Sequence, residues 1–124
     1  IVNSYYIGLL LSSEKEEELN AGRSVSVFFP NQGDRGSHIN ISGLALAKNS
    51  PNKENAIKLM EYLTSEEAQM TYVNNSYEYA ANPNVKPSKI VQSWGEFKRD
   101  NLDLNKLGEF REEALKIFDS TGWK

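Results

Sequence analysis

Apolar and polar positions along the chain change period several times, and each change marks an element. Tyr5 to Leu11 is an apolar stretch preceded by Asn3 and Ser4, either of which could accept the free amide hydrogens of a starting helix, so a short helix is expected there. Ser13 then opens Glu14-Lys15-Glu16-Glu17-Glu18-Leu19, a solvated helical turn with one apolar contact. From Ser24 small polar residues alternate with Val25 and Val27, Phe28 and a second Phe at 29 close the run, and Pro30 follows, which is the pattern of a strand stopped by proline. His38 to Lys48 keeps a two-residue beat through Ile39, Ile41, Leu44 and Leu46; the break at Ser42-Gly43 predicts a bulge in a long strand.

Helical period takes over after Ser50-Pro51. Ala56, Leu59, Met60 and Leu63 fall on one stripe with charged residues opposite. Thr64 and Glu67 have the spacing of a capping box, which predicts a second helix with Thr64 as the joint. Tyr77 to Pro87 carries Asn82-Pro83-Asn84 and Lys86-Pro87 and should run as an extended connection without helix. Ser88 to Trp94 forms a short helical turn, and Asn105 to Ser120 a last helix with Leu107, Phe110, Ala114, Leu115, Ile117 and Phe118 on one side. Strands mixed with amphipathic helices predict an α/β fold.

Length bounds this picture. The 124 residues permit one modest domain. With no cysteine, disulfide scaffolds, thiolate zinc sites, iron-sulfur clusters and cysteine nucleophiles are excluded together. Fourteen basic against 17 acidic groups, scattered along the chain, argue against a nucleic-acid partner, which would need many phosphates neutralised. The longest apolar run, Ile7 to Leu11, is far short of the roughly 20 residues of a membrane span. Ile1 in place of Met, with no signal segment before it, and a finished helix ending at Thr121-Gly122 together read as the carboxy-terminal piece of something longer.

Catalytic chemistry finds little support. The single histidine, His38, stands at a strand entrance with no serine motif, and reads as a polar edge residue. The acidic groups Glu16-Glu17-Glu18, Glu66-Glu67 and Glu112-Glu113 lie on polar faces or helix starts. Asn31 to Gly36 lacks the spacing and the following Lys-Ser/Thr of a phosphate loop. An enzyme is not expected.

Tyr5 and Tyr6 are the only adjacent pair among six tyrosines. Periodicity alone makes them a core or interface contact. The sharper reading is a pair of phenolate ligands. A phenol titrates near pH 10, so at neutral pH it binds only a cation acidic enough to displace its proton. Fe(III), small, hard and triply charged, suits such oxygen donors. Two neighbouring residues can reach one ion at an irregular helix start, where the helix dipole also favours the ionised phenols. Other ligands would have to come from elsewhere.

The segments Asn3-Ser4-Tyr5-Tyr6, Phe29 through Gly43, Asn55-Ala56-Ile57-Lys58-Leu59, Leu63 through Gln69, Tyr77 through Pro83 and Gly122-Trp123-Lys124 give the chain a resemblance. It resembles the carboxy-terminal part of the ferric-iron-binding periplasmic proteins, the substrate-binding components of bacterial iron ABC transporters. The resemblance implies a two-lobed, hinged α/β protein with two interlobe crossings that closes on Fe(III) and hands it to a membrane permease. It implies that Tyr5 and Tyr6 are iron ligands, with further ligands upstream; His38 matches none. Residues 1–36 would belong to one lobe, 37–87 to the other, and 88–124 would return to the first. Alone, such a piece is expected to expose sheet edges and to associate with another copy or with its missing part. Two rivals stand beside this reading: a binding protein for another solute such as an oxyanion or polyamine, and a small interaction domain using Tyr77, Tyr79 and Trp94.

Overall fold

The computed structural model describes residues 2–123. Ile1, read above as a cut end, and Lys124, last residue of the terminal motif, lie outside the described residues. Among the described residues seven helices run in order: α1 (Tyr5–Leu11), α2 (Glu16–Arg23), α3 (Lys53–Leu63), α4 (Glu66–Ser76), α5 (Lys89–Gln92), α6 (Asn105–Glu109) and α7 (Arg111–Thr121). The chain forms two compact units. One joins the stretch up to Phe28 with Ile41–Glu96, and the other joins Phe29–Asn40 with the stretch from Phe97 onward.

In the first unit α1 packs on α2, with Leu10 against the buried Gly22, and touches α4 and α5. Its small core is made by Val73 and Val91, both fully buried, and Val85. The stripe on α3 is used in part: Ala56, Met60 and Leu63 are half-buried while Leu59 stays exposed. Helix α4 is capped by Ser65, whose hydroxyl accepts from the Ala68 amide at 3.3 Å. Thr64, expected to be the cap, instead turns its hydroxyl back to donate to the Glu61 carbonyl at 2.8 Å, closing α3. The extended 77–87 connection is tied down by side-chain amides. Gln69 donates to Leu63 O and accepts from Ala81 N, both at 2.8 Å, and Asn82 donates to Thr64 O at 3.1 Å.

The second unit is organised by a crossing of two chain segments. Ser37 and Arg99 form an isolated parallel bridge, with Ser37 N donating to Lys98 O and Asp100 N to Ser37 O, each at 2.8 Å. Phe29 and Phe97 stack beside it at 4.2 Å between centroids. Gly36 is required there: its φ is +98°, and a Cβ would fall 2.7 Å from the Arg99 carbonyl carbon.

Three further expectations are corrected. Neither 24–29 nor 38–48 is paired into a strand; the Ser37 bridge is the sole β pairing among the described residues. A strand is held by a neighbour's hydrogen bonds and by an apolar partner face, and here most of the alternating residues find neither: Val25 is 50% exposed and Ile41 61%. The last helix is also two helices, since Phe110 leaves helical geometry at φ −95°, ψ 8° between α6 and α7. Finally, neither Asn3 nor Ser4 caps α1 through its side chain; their backbone carbonyls accept from Tyr6 N and Ile7 N at 3.2 and 3.0 Å.

Candidate metal centre

Tyr5 and Tyr6 begin α1, and their rings lie 4.3 Å apart at an interplanar angle of 40°. Tyr5 is half-buried and Tyr6 is 50% exposed, so the pair reaches solvent and is not enclosed in a hydrocarbon core. Their hydroxyls are hydrogen-bonded to one another. Tyr6 donates to Tyr5, which holds the Tyr5 phenol below the usual range, and the Asn3 side chain lowers it further. The same bond holds the Tyr6 proton in place and raises its ionisation, with repulsion from the Tyr5 charge adding to the effect. One of the two oxygens is thus prepared to become a phenolate first.

Glu78 also belongs to this neighbourhood. Its negative charge reaches Tyr5 and opposes ionisation there, while its carboxylate accepts from the Tyr72 hydroxyl at 2.5 Å. That hydrogen bond, together with burial, keeps the Tyr72 phenol protonated above the usual range. Tyr72 and Glu78 carried no sequence signal, because their pairing depends on the sharp turn at Tyr77 that ends α4. There Tyr77 adopts the left-handed conformation, φ 57°, ψ 30°. Tyr77 is half-buried and engaged within the unit, with its ring against Gly8, while Tyr79 is 40% exposed.

His38 is exposed. Among the described residues no three His, Cys, Asp or Glu side chains gather around a common point, so donors other than phenols would have to be supplied singly.

These features match a known architecture. Residues 5–99 fit the model of the bacterial extracellular solute-binding protein family, and the chain belongs to that family. Iron uptake protein A1 of Synechocystis sp. is 45% identical over 124 residues, which is all of this chain and 34% of that protein. A ferric binding protein from Campylobacter jejuni superposes with a TM-score of 0.92 at 40% identity, over 100% of this chain and 39% of its own. A Trichodesmium protein, IdiA or FutA, solved in complex with iron and citrate, gives 0.94 at 41% identity over 99% and 39%. The chain spans about a third of the length of the curated relatives it matches. Over its whole length it therefore shares part of an α/β fold found in two-lobed ferric-binding proteins.

Proposed function

We propose that this chain is the carboxy-terminal part of a periplasmic Fe(III)-binding protein that serves an iron ABC transporter, and that Tyr5 and Tyr6 are two of the metal's ligands. The observation that carries the reading is the hydrogen-bonded phenol pair at the first turn of α1, with Tyr5 biased toward the phenolate. Supporting it, relatives that are similar over the entire chain are named for iron uptake or ferric binding. The ferric ion is cargo, and the protein performs no catalysis. Further ligands come from the part of the fold outside these residues, and a citrate-like anion sharing the metal is compatible with the Trichodesmium neighbour.

The same proposal makes the complete protein two-lobed and hinged. Closure follows from differential affinity. A metal that touches both lobes only when they are shut shifts the hinge population toward the closed form. The loaded protein would then present the ion to a membrane permease. No described helix is long and apolar enough to cross a membrane itself.

The test is spectroscopic. Ferric citrate added to the complete gene product carrying these residues should raise a visible phenolate-to-iron charge-transfer band, lost or strongly reduced in Tyr5→Phe and in Tyr6→Phe. A protein that binds ferric ion with the same colour and affinity in both variants would refute the assignment, as would an oxyanion or polyamine bound in preference to iron.

A further inference from the structure

Helix α1 is only seven residues long, too short to hold its own geometry in water. What aims its tyrosines must therefore be what it packs against. Gly8 is its one buried residue, and its place on the helix is one turn beyond Tyr5. A Cβ on Gly8 would fall 2.4 Å from both the Cβ and the Cγ of Tyr77, so the helix backbone rests directly on the Tyr77 side chain. Tyr77 in turn is held where L residues rarely go, in the left-handed conformation at the end of α4. A glycine would satisfy that backbone more cheaply. The residue found there is instead one whose ring fills the seat under Gly8.

We infer that Tyr77 is a positioning residue: seated against Gly8, its ring fixes the tilt of α1 and with it the shared aim of the Tyr5 and Tyr6 oxygens. Metal sites tolerate little error in ligand direction, and loss of an outer support costs about 10- to 100-fold in metal affinity. The Tyr77 hydroxyl has no part in this role.

The inference rests on the ferric-ion reading above, and its test separates the two. In the complete gene product, with ferric citrate as the probe, Tyr77→Phe keeps the ring and should retain both the charge-transfer band and the affinity. Tyr77→Gly relieves the backbone while removing the ring. It should weaken ferric binding by about tenfold or more and shift or broaden the band. Gly8→Ala forces a methyl into the ring and should do the same from the other side. If Gly8→Ala fails to fold, the Tyr77→Gly and Tyr77→Phe comparison still decides. A band and affinity unchanged in Tyr77→Gly would overturn the positioning role while the band itself upholds the metal reading. Loss in Tyr77→Phe as great as in Tyr77→Gly would overturn it too, since the hydroxyl would then be the working group. Absence of any tyrosine-dependent band in the unmodified protein would overturn both.

Discussion

The Gln32 side chain pairs with the Lys98 backbone in both directions: its amide oxygen accepts from Lys98 N at 2.7 Å and its nitrogen donates to Lys98 O at 3.1 Å. One side-chain amide thus stands in for a strand neighbour. The same nitrogen donates to Pro30 O and to the Ser37 hydroxyl, and the Ser37 hydroxyl donates to Pro30 O at 2.8 Å, so both crossing segments of the second unit meet at Gln32. Lys98 Nζ also donates to Asp34 O, and Arg35 faces Asp100 at 4.0 Å. Gln32→Ala should cost about 1 kcal/mol, because the orphaned Lys98 groups are near water and can rehydrate. Gln32→Glu should cost more, because it aims a carboxylate oxygen at the carbonyls of Pro30 and Lys98 where an amide donated. Urea denaturation of the two variants would measure the difference, and the reverse order would show that the network is incidental.

Ser65 and Thr64 make a sharper comparison. Ser65→Ala removes the side-chain oxygen that receives the Ala68 amide and should destabilise the protein by about 1 kcal/mol. Thr64→Ala removes a hydroxyl bonded back to an exposed carbonyl and should cost about half of that or less. The joint between α3 and α4 was legible in the sequence, since Thr64-Ser65-Glu66-Glu67 can only end one helix and begin another. Which of the two hydroxyls caps was not, because both have suitable side chains and the choice lies in a one-residue difference in where α3 unwinds.

The phenol pair predicts a distinctive alkaline titration. Tyr5 is held below the ordinary phenol range by the hydrogen bond from Tyr6, so in Tyr6→Phe its ionisation should move back up. Tyr6 is held above that range because Tyr5 accepts its proton, so in Tyr5→Phe its ionisation should move down. The phenolate absorbance of each variant followed against pH would show shifts of opposite sign. Shifts of the same sign, or none, would mean the two hydroxyls do not share a proton in solution.

Exposed apolar surface yields a prediction about behaviour. The alternation in 24–29 and 38–48 is a real pattern, yet it predicts a strand only if a neighbour is present to complete the ladder. Val25 at 50%, Leu44 at 53% and Leu46 at 37% exposure show those residues without such cover. The α7 face is likewise open, with Leu115, Ile117 and Phe118 all about half exposed or more. Local signals such as helix periods and caps were therefore readable, while pairing, which depends on residues distant in sequence or outside it, was not. The 124-residue chain alone should bind a hydrophobic dye and associate at micromolar concentration, as seen by sedimentation velocity. Phe28→Ser, at a position 84% exposed, should lessen association without lowering the unfolding midpoint. A dye-silent monomer would show that the apolar faces find cover within the chain.

Ferric affinity should fall steeply as pH falls. Each phenol must give up its proton to the solvent before its oxygen can hold the ion, and at neutral pH both start protonated. Releasing two protons makes the apparent association constant drop by about 100-fold for each unit of acidification, as long as both tyrosines remain ligands. The lowered ionisation of Tyr5 eases one of these two steps and the raised ionisation of Tyr6 hinders the other, but neither changes the count. Glu78 works in two senses. Its charge opposes the bare phenolate on Tyr5, yet exchanging two protons for a trivalent cation adds one positive charge at the site, which a nearby carboxylate favours. Glu78→Gln should therefore make Tyr5 ionise at lower pH in the metal-free protein, and should weaken ferric binding where no extra anion shares the ion. Competition with a ferric chelator across several pH values would give the proton count. A slope near zero would mean that the two oxygens are not giving up protons to a metal.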